Sequence, residues 1–282
     1  MNLKFFNKFR KTKIIILSVL FVFLVYVIWL KIPTASNDRD WAVDQSILPY
    51  GVIDEGFVTL YNIRNFSYNS KTDYTVDYYN KTFDLELLDS LWYLVEPFSD
   101  FQGAAHTFLS FGFGDEYVVL SVEIRKEKGE KFSPVRALFK QYELMYVFGS
   151  EEDIIQLRSN YRLDDVFLYP VKTTKERMKI VFIDAVNRAN ELSENPEYYH
   201  SITNTCMTNL VDHTNAVVPG RVPFLKLGIF MPGYSDKLAY ELGILDTDLS
   251  YEEIRDYYRI NEQAMDINSS VSFSKRIRIF GD

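Results

Sequence analysis

The single cysteine of the 282-residue chain, Cys206, lies in the stretch SITNTCMTNLVDHTN, where a polar turn gives way to a predicted helix. If Asn204 or Thr205 caps that helix, the thiol falls in the first turn, near unpaired backbone amides and the positive end of the helix dipole. Such a position lowers the pKa of a thiol and offers amide groups to a developing oxyanion. The alternative is a buried cysteine that acts as a small apolar side chain. We therefore treat Cys206 as a candidate nucleophile and Asn204 as a supporting residue.

A thiol nucleophile needs a base, and the chain contains three histidines, His106, His200 and His213. His213 follows the cysteine by seven residues on the same predicted helix, about 10 Å farther along the axis, which is too far for direct contact. His200 lies in the loop before the helix, where a solvated histidine is the simpler interpretation. His106 is the favoured base because of the strands around it.

His106 belongs to the segment AAHTFLSFGF, which the pair Gly114-Asp115 separates from a second strand-like segment, EYVVLSVEIR. A Gly-X pair between two strands predicts a two-residue hairpin loop. In that register Glu123 faces His106 with Cβ atoms roughly 4.5 to 5.5 Å apart, so its carboxylate could hold the imidazole in one tautomer. Cys206, His106 and Glu123 then supply the nucleophile, base and orienting group of a catalytic triad. A purely structural His–Glu pair is the alternative.

The same register places Ser121 opposite Phe108 and Arg125 opposite Ala104, each one step along the same face from the histidine. Arg125 and the nearby Tyr142 are further supporting candidates. One cysteine and three scattered histidines show no zinc-ligand spacing, and the sequence contains no Gly-rich phosphate loop and no G-x-S-x-G motif. We therefore expect neither a metal nor a cofactor.

The elements that must position these residues fall into two groups. The strand-like segments are FVTLYNIRNFSYNS, YTVDYYNKTFDLELLD, AAHTFLSFGF, EYVVLSVEIR, LMYVFG and DVFLYPV. The helical segments follow them as EEDIIQLRSNYR, TTKERMKIVFIDAVNRANELSEN, the helix of the thiol, and SYEEIRDYYRINEQA. Thr173 and Glu176 have capping-box spacing, and Asn195-Pro196 predicts the end of that helix. No low-complexity linker divides these segments, so we predict one α+β domain.

An apolar run, IIILSVLFVFLVYVIWL, occupies residues 14–30, with five basic residues before it and Lys31 directly after it. Its length and flanks predict one membrane-spanning helix. The positive-inside rule then places residues 1–13 in the cytoplasm and residues 31–282 in the periplasm of a bacterium, with the helix in the inner membrane. A cleaved signal peptide is the alternative, although its apolar core is usually about 7 to 15 residues long.

The charge of the remaining chain restricts its partners. Residues 32–282 carry 25 basic and 39 acidic residues, a formal charge of −14. Such an acidic domain is a poor match for nucleic acid. About 250 residues are enough for one large domain with its own core.

Several blocks of the sequence, in order, resemble the periplasmic domain family named after the bacterial lipoprotein N-acyltransferase Lnb. They are NDRDWAVDQSILP, AAHTFLSFGFGDEYVVLSVEIRKEKGEKFSPV, LFKQYELMYVFGSEEDIIQLRSN, FLYPV, YYHSITNTCMTNLVDHTN and PGYSDKLAYELG. The order of a histidine strand, a second strand and then NTC at a helix start is also similar to permuted, papain-like NlpC-type thiol folds. This resemblance implies His106 and Cys206 as the catalytic pair, with Thr205 here standing between Asn204 and the cysteine.

The resemblance implies a membrane-tethered thiol acyltransferase. Cys206 would take an acyl chain from a phospholipid as a thioester, and an amine, such as the N-terminus of a lipoprotein, would then accept it. The main alternative is a cysteine peptidase or amidase that uses the same residues on cell-wall peptide or another envelope amide. A third hypothesis is a non-catalytic envelope scaffold. An apolar groove beside Cys206 would favour the lipid substrate, and an open polar cleft would favour the amide.

Overall fold

The computed structural model describes residues 3–30, 34–266 and 268–281, and the chain divides into two units, Met1–Ala35 and Ser36–Asp282. The first unit contains helix α1 (Leu3–Leu30). Within the described ranges, no helix combines the length and the apolar character that crossing a membrane requires. The prediction of a membrane-spanning helix over residues 14–30 is therefore not supported. Lys31, used to place the end of that segment, lies outside the described residues.

The second unit is built on a mixed β-sheet. Its strands are β1 (Tyr50–Asp54), β2 (Phe57–Arg64), β3 (Ser67–Tyr68), β4 (Tyr74–Thr75), β5 (Tyr78–Asp84), β6 (Leu88–Pro97), β7 (Ala105–Phe113), β8 (Glu116–Arg125), β9 (Glu143–Gly149) and β10 (Phe167–Pro170). Eight of them form one sheet in the order β1-β2-β9-β8-β7-β6-β10, with β5 also paired to β2, while β3 and β4 pair separately. The β2–β9 contact is parallel and the other pairings in the sheet are antiparallel.

Helices cover both faces of this sheet, which confirms the α+β class. They are α2 (Pro134–Leu138), α3 (Glu151–Gln156), α4 (Lys175–Glu194), α5 (Cys206–Val217), α6 (Leu227–Phe230), α7 (Ser235–Glu241), α8 (Tyr251–Tyr257), α9 (Asn261–Met265) and α10 (Phe273–Arg276). A π-helical turn, Leu157–Arg162, continues α3. The larger apolar core lies between the sheet and helices α4 and α5. A second core lies on the opposite face, against α3, α9 and α10.

Strand β7 separates the two cores. Leu109, Phe111 and Phe113 belong to the core of α4 and α5, whereas Phe108 belongs to the core of α3. Successive side chains of a strand point to opposite faces, and both faces of β7 are covered. This explains why apolar residues occur on both faces of the strand and do not alternate regularly with polar ones.

Most predicted elements are present, with shifts at several boundaries. The two-residue loop Gly114-Asp115 is confirmed, because Phe113 pairs with Glu116 and Phe108 with Ser121. Helix α4 is capped by Thr174, one residue after the predicted cap, since the Thr174 hydroxyl accepts from the Arg177 amide. The predicted acidic helix is divided into α8 and α9, and strand β6 was not predicted.

Candidate functional site

Cys206 is the first residue of helix α5, and Thr205 is the cap. The Thr208 amide donates to Thr205 Oγ1 at 3.1 Å, and the Thr205 amide donates to Thr208 Oγ1 at 2.7 Å. This reciprocal capping box fixes the start of the helix. Of the two caps considered from the sequence, the structure therefore selects Thr205, and it places the thiol in the first turn as expected.

The thiol is buried rather than activated. Cys206 is 6% exposed and packs in the core shared with Leu109 of β7 and Leu210 of α5. Burial raises the pKa of the thiol, and hydrogen bonding with Thr107 opposes this increase without cancelling it. The expected low-pKa thiolate is therefore not formed in this structure, because desolvation outweighs the favourable position at the helix start.

His106 lies in a chain of buried polar groups. Its Nε2 is 2.7 Å from Ser121 Oγ, which in turn donates to Glu123 Oε1 at 2.9 Å. Since the Ser121 proton is directed to Glu123, Nε2 of His106 must carry a proton and donate to the serine. Glu123 thus orients the imidazole through Ser121 rather than by direct contact. Arg158 completes the chain by donating to Glu123 Oε1 at 3.1 Å.

The electrostatics of this chain keep His106 neutral. Burial, and after it the charge of the nearby Arg158 guanidinium, lowers the pKa of His106 to about 3. Burial disfavours ionisation of Glu123, but Arg158 and Arg64 outweigh it and lower the pKa of this carboxyl. Burial raises the pKa of Glu96 to about 7, against the opposing charge of Arg158, whose Nε lies 2.5 Å from Glu96 Oε2. One guanidinium thus contacts two carboxyl groups, and of the two it is Glu96 whose ionisation is disfavoured.

Cys206 and His106 lie on opposite faces of the sheet. Thr107, the residue after His106, hydrogen-bonds Met207 Sδ of helix α5 at 3.8 Å. His106 instead stacks on Phe108, with ring centroids 5.2 Å apart, in the layer of α3. Because neighbouring strand residues point to opposite faces, the structure does not assemble the Cys–His pair or the NlpC-type thiol site implied by the resemblance.

The three supporting candidates, Asn204, Tyr142 and Arg125, each form hydrogen bonds that give them a structural role. Asn204 accepts from Asn209 Nδ2 at 2.9 Å and donates to the Tyr198 carbonyl at 3.0 Å. The Tyr142 hydroxyl donates to the Lys131 carbonyl at 2.7 Å. The guanidinium of Arg125 donates to the carbonyls of Gln45 and Ser46 and to Asn37 Oδ1, and stacks over the Trp41 ring at 4.2 Å. Arg125 and Tyr142 therefore hold loops in place.

The other two histidines have different surroundings. His200 Nδ1 accepts from the amides of Ile202 and Thr203 within its own turn, as expected for a loop residue. His213 forms a cluster that sequence reasoning missed. Its Nδ1 is 2.6 Å from Asp184 Oδ2 of α4, and its Nε2 is 2.8 Å from the Tyr146 hydroxyl of β9. These partners lie 29 and 67 residues away, so no local pattern indicates the cluster.

The His213 cluster lines a polar cavity of about 340 Å³. Its other lining residues include Asn187, Arg188, Asn204 and Asn209. The Tyr146 hydroxyl also lies 3.0 Å from Asn209 Oδ1, so Asn209 joins the same hydrogen-bonded group. Hydrogen bonds between these side chains therefore connect α4, α5 and β9.

A second, apolar cavity of about 330 Å³ lies along the other side of helix α5. Met207, Leu210 and Val211 of the helix line it, together with Tyr93 and Leu109 of the sheet. Met207 directly follows the thiol, and its Sδ accepts from the Tyr93 hydroxyl at 3.6 Å. Cys206 itself is not among the lining residues, so the cavity approaches the thiol through Met207.

The fold and site define an α+β domain whose lone thiol starts a helix beside an apolar cavity. The family model of the Lnb N-terminal periplasmic domain matches residues 74–228, more than half of the chain. The chain therefore belongs to this family, as its sequence blocks indicated, and the family implies a periplasmic domain. Neither the curated proteins nor the solved structures compared with the chain include a match.

Proposed function

We propose that this protein is an acyl-lipid-handling member of the Lnb family, in which Cys206 accepts an acyl chain held in the apolar cavity. The cavity beside helix α5 is the observation that carries the proposal. Its size lies within the usual range of small-molecule sites, and apolar side chains form most of its lining. This is the environment expected for a lipid substrate rather than for a cell-wall peptide.

The charged residues of the cavity favour an anionic amphiphile. Lys172, Arg177 and Arg221 line it together with the apolar residues, and the described lining includes neither Asp nor Glu. Lys172 and Arg177 are exposed, so their charges stand at the opening. An acyl chain would occupy the interior, and a phosphate headgroup would contact these cations. A phospholipid combines both features.

The proposed reaction has two balanced steps. The Cys206 sulfur attacks the ester carbonyl of the phospholipid, the C–O bond breaks, and the thiol proton leaves with the alcohol of the lysophospholipid. An amine then attacks the thioester, the C–S bond breaks, and the amine proton returns to the sulfur. The N-terminal amine of a lipoprotein is the acceptor class that the family name suggests.

His106 and Glu123 have no direct part in this proposal, because their hydrogen bonds lie on the other face of the sheet. The proposal is also independent of the predicted membrane anchor. A single-pass topology with residues 1–13 in the cytoplasm remains a prediction, which protease accessibility of residues 36–282 in sealed inner-membrane vesicles would test.

The proposal is tested by the intact mass of the full chain after incubation with detergent-dispersed phospholipid. We expect an added acyl mass in the wild type and none in Cys206→Ser. Val217→Trp, which places a large ring in the cavity lining, should reduce the adduct about tenfold or more. Ala216→Trp is the matched control, because Ala216 lines the polar cavity instead.

Absence of the adduct in folded wild-type protein, with no acyl transfer to an amine, would contradict the proposal. Cleavage of a cell-wall peptide that persists in Val217→Trp would support the amidase alternative instead. A scaffold without catalysis would show neither product.

A further inference from the structure

An exposed apolar segment lies between helices α5 and α7. It consists of residues 224–230, FLKLGIF, and we call it the apolar loop. Leu225 is 86% exposed and Leu227 is 60% exposed, and Phe224 and Phe230 are also exposed. Exposed apolar clusters of this kind mark sites of interaction with proteins or membranes.

The apolar loop is an ordered amphipathic structure. Val222 and Ile229 point inward and pack with Met207, Val211 and Leu238 in a core of their own. On the outer side, the rings of Phe224 and Phe230 contact each other at 5.6 Å. Inward packing of some side chains therefore holds the others at the surface.

A second loop extends the same surface. Phe98 and Phe101 are exposed at 46% and 60%. This loop adjoins the end of the apolar loop, because the Gly233 amide donates to the Gly103 carbonyl at 3.1 Å. A Cβ atom at Gly103 would lie 2.7 Å from the Phe101 ring and 3.3 Å from Met231 Cβ, so Phe101 is close to Met231.

The charge of this region differs from that of the rest of the domain. Residues 213–235 contain Arg221 and Lys226 and no acidic residue, whereas the second loop carries one exposed carboxylate, Asp100. The chain after Lys31 carries a net charge of −14, so the segment is a basic and apolar exception on an acidic protein. Apolar side chains flanked by Lys or Arg are typical of structures that lie in the interface of an anionic bilayer.

The apolar loop is also continuous with the apolar cavity. Arg221 and Val222, which Pro223 separates from the apolar loop, both line that cavity. A bilayer in contact with the loop would therefore lie next to a path for an acyl chain. A protein partner would not explain why the exposed surface adjoins the cavity along the chain.

We propose that the apolar loop, with Phe98 and Phe101, docks this domain onto the surface of a bilayer that contains anionic lipid. Leu225 and Leu227 enter the headgroup boundary, and Lys226 contacts lipid phosphates. The use of this contact in substrate entry rests on the proposed function, whereas the contact itself can be tested separately.

The experiment uses the full chain with Cys206→Ser and Leu225→Cys, labelled with an environment-sensitive fluorophore. On adding vesicles of phosphatidylglycerol and phosphatidylcholine, we expect a blue shift, an increase in emission of about twofold, and quenching by lipids brominated in the acyl chains. The matched control carries the label at Leu163→Cys, which is 69% exposed on the α3 side of the domain. The label reports only on the surroundings of position 225. Vesicle binding through another segment of the protein would therefore not produce the blue shift and the quenching.

A second variant tests the contribution of the Lys226 charge to vesicle binding. Lys226→Glu should weaken the vesicle-dependent change at position 225 about tenfold with anionic vesicles, and much less with phosphatidylcholine alone. An unchanged label at 225 on vesicle-bound protein would overturn the proposal, as would an equal change at 163. A change that rises with protein concentration without vesicles would indicate a second copy and would also overturn it. The adduct on Cys206 with detergent-dispersed lipid tests the proposed function independently.

Discussion

At the scale of single residues, Cys206 shows that a helix start alone does not activate a thiol. The first turn of α5 provides amide groups, and hydrogen bonding with Thr107 favours the thiolate. Burial in an apolar core nevertheless raises the pKa of the thiol, because a desolvated anion is costly. An acyl thioester, which is neutral, has no such cost. The site is thus better suited to holding an acyl group than to stabilising a free thiolate.

This environment predicts slow alkylation of native Cys206. At neutral pH the thiol should react with iodoacetamide about tenfold or more slowly than the same protein unfolded in urea, since only the thiolate reacts. The rate should increase as the pH rises toward the raised pKa. Thr107→Val should slow it further by removing a hydroxyl that favours the thiolate. Rapid alkylation at pH 6 would show that the pKa is depressed and that burial does not dominate.

Glu96 gives a pH prediction with a definite sign. Its folded-state pKa of about 7 exceeds the usual glutamate value of 4.5, so between these pH values the folded protein binds a proton that the unfolded chain releases. Its contribution to stability is complete below about pH 4.5 and is lost as the pH rises through 7. Glu96→Gln, which imitates the protonated side chain, should therefore gain stability relative to the wild type between pH 5 and pH 8.

The gain should be on the order of 2 kcal/mol in the free energy of unfolding, measured by urea denaturation. His106 is present in the wild type and in Glu96→Gln, so its titration contributes equally to both unfolding free energies and cancels in their difference. The exposed carboxylate of Glu194, replaced by Gln, is the control and should show little change. A difference between Glu96→Gln and wild type that is independent of pH would mean that Glu96 is ionised throughout this range.

At the scale of elements, the sequence predicts which strands pair better than it predicts the face of the sheet on which a helix packs. Gly114-Asp115 is a local signal, so the register of β7 with β8 could be derived from two residues. The face on which α5 packs is a tertiary property, decided by which side of β7 offers Thr107 and Leu109 to Cys206. Both faces of β7 are buried, so no polar alternation shows which one receives the helix. The sequence therefore contains no local signal that tells whether the histidine and the thiol share a face.

The separation of the two faces predicts that His106 affects stability and acylation differently. His106→Ala removes the imidazole from the chain that includes Ser121, Glu123 and Arg158, and should lower the free energy of unfolding by about 1–3 kcal/mol. The acyl adduct on Cys206 should persist in the folded protein. Urea denaturation and intact mass measure the two effects. Loss of the adduct in a fully folded variant would show that the histidine does act on the thiol.

His213 links three elements, since Asp184 belongs to α4, Tyr146 to β9 and His213 to α5. His213→Ala should reduce stability by about 1–3 kcal/mol, because it removes one hydrogen bond from the buried Tyr146 hydroxyl and one from the partly exposed Asp184 carboxylate. A double-mutant cycle with Asp184→Ala should give a coupling energy of about 0.5–3 kcal/mol. Asp212→Ala, at the exposed neighbouring position, is the control. Additive effects of the first two changes would contradict a direct link.

At the scale of the whole molecule, the family-matched range does not contain the complete fold. Strand β2 lies before residue 74 and joins the sheet through its parallel contact with β9, where Arg64 is paired with Gly149. The core on the α3 face is completed by residues after 228, including Ile260, Phe273 and Ile277. Arg278 fastens this last segment, with two bonds of 2.6 and 2.8 Å to the buried Glu151 carboxylate.

This arrangement predicts that residues 74–228 do not fold alone. Without the later helices, one face of β7 would expose the core that includes Phe108, and Glu151 would lose its guanidinium partner. An unpaired buried charge and an uncovered apolar face each cost several kcal/mol, comparable with the total stability of a domain. The fragment should therefore show no cooperative transition in urea, whereas residues 36–281 should unfold in one step.

Within the longer fragment, Arg278→Met should lower the free energy of unfolding by about 3–5 kcal/mol, and adding Glu151→Gln should restore part of it. A cooperative transition of 74–228 would show that the matched range contains a sufficient core and that the C-terminal segment only adds to it.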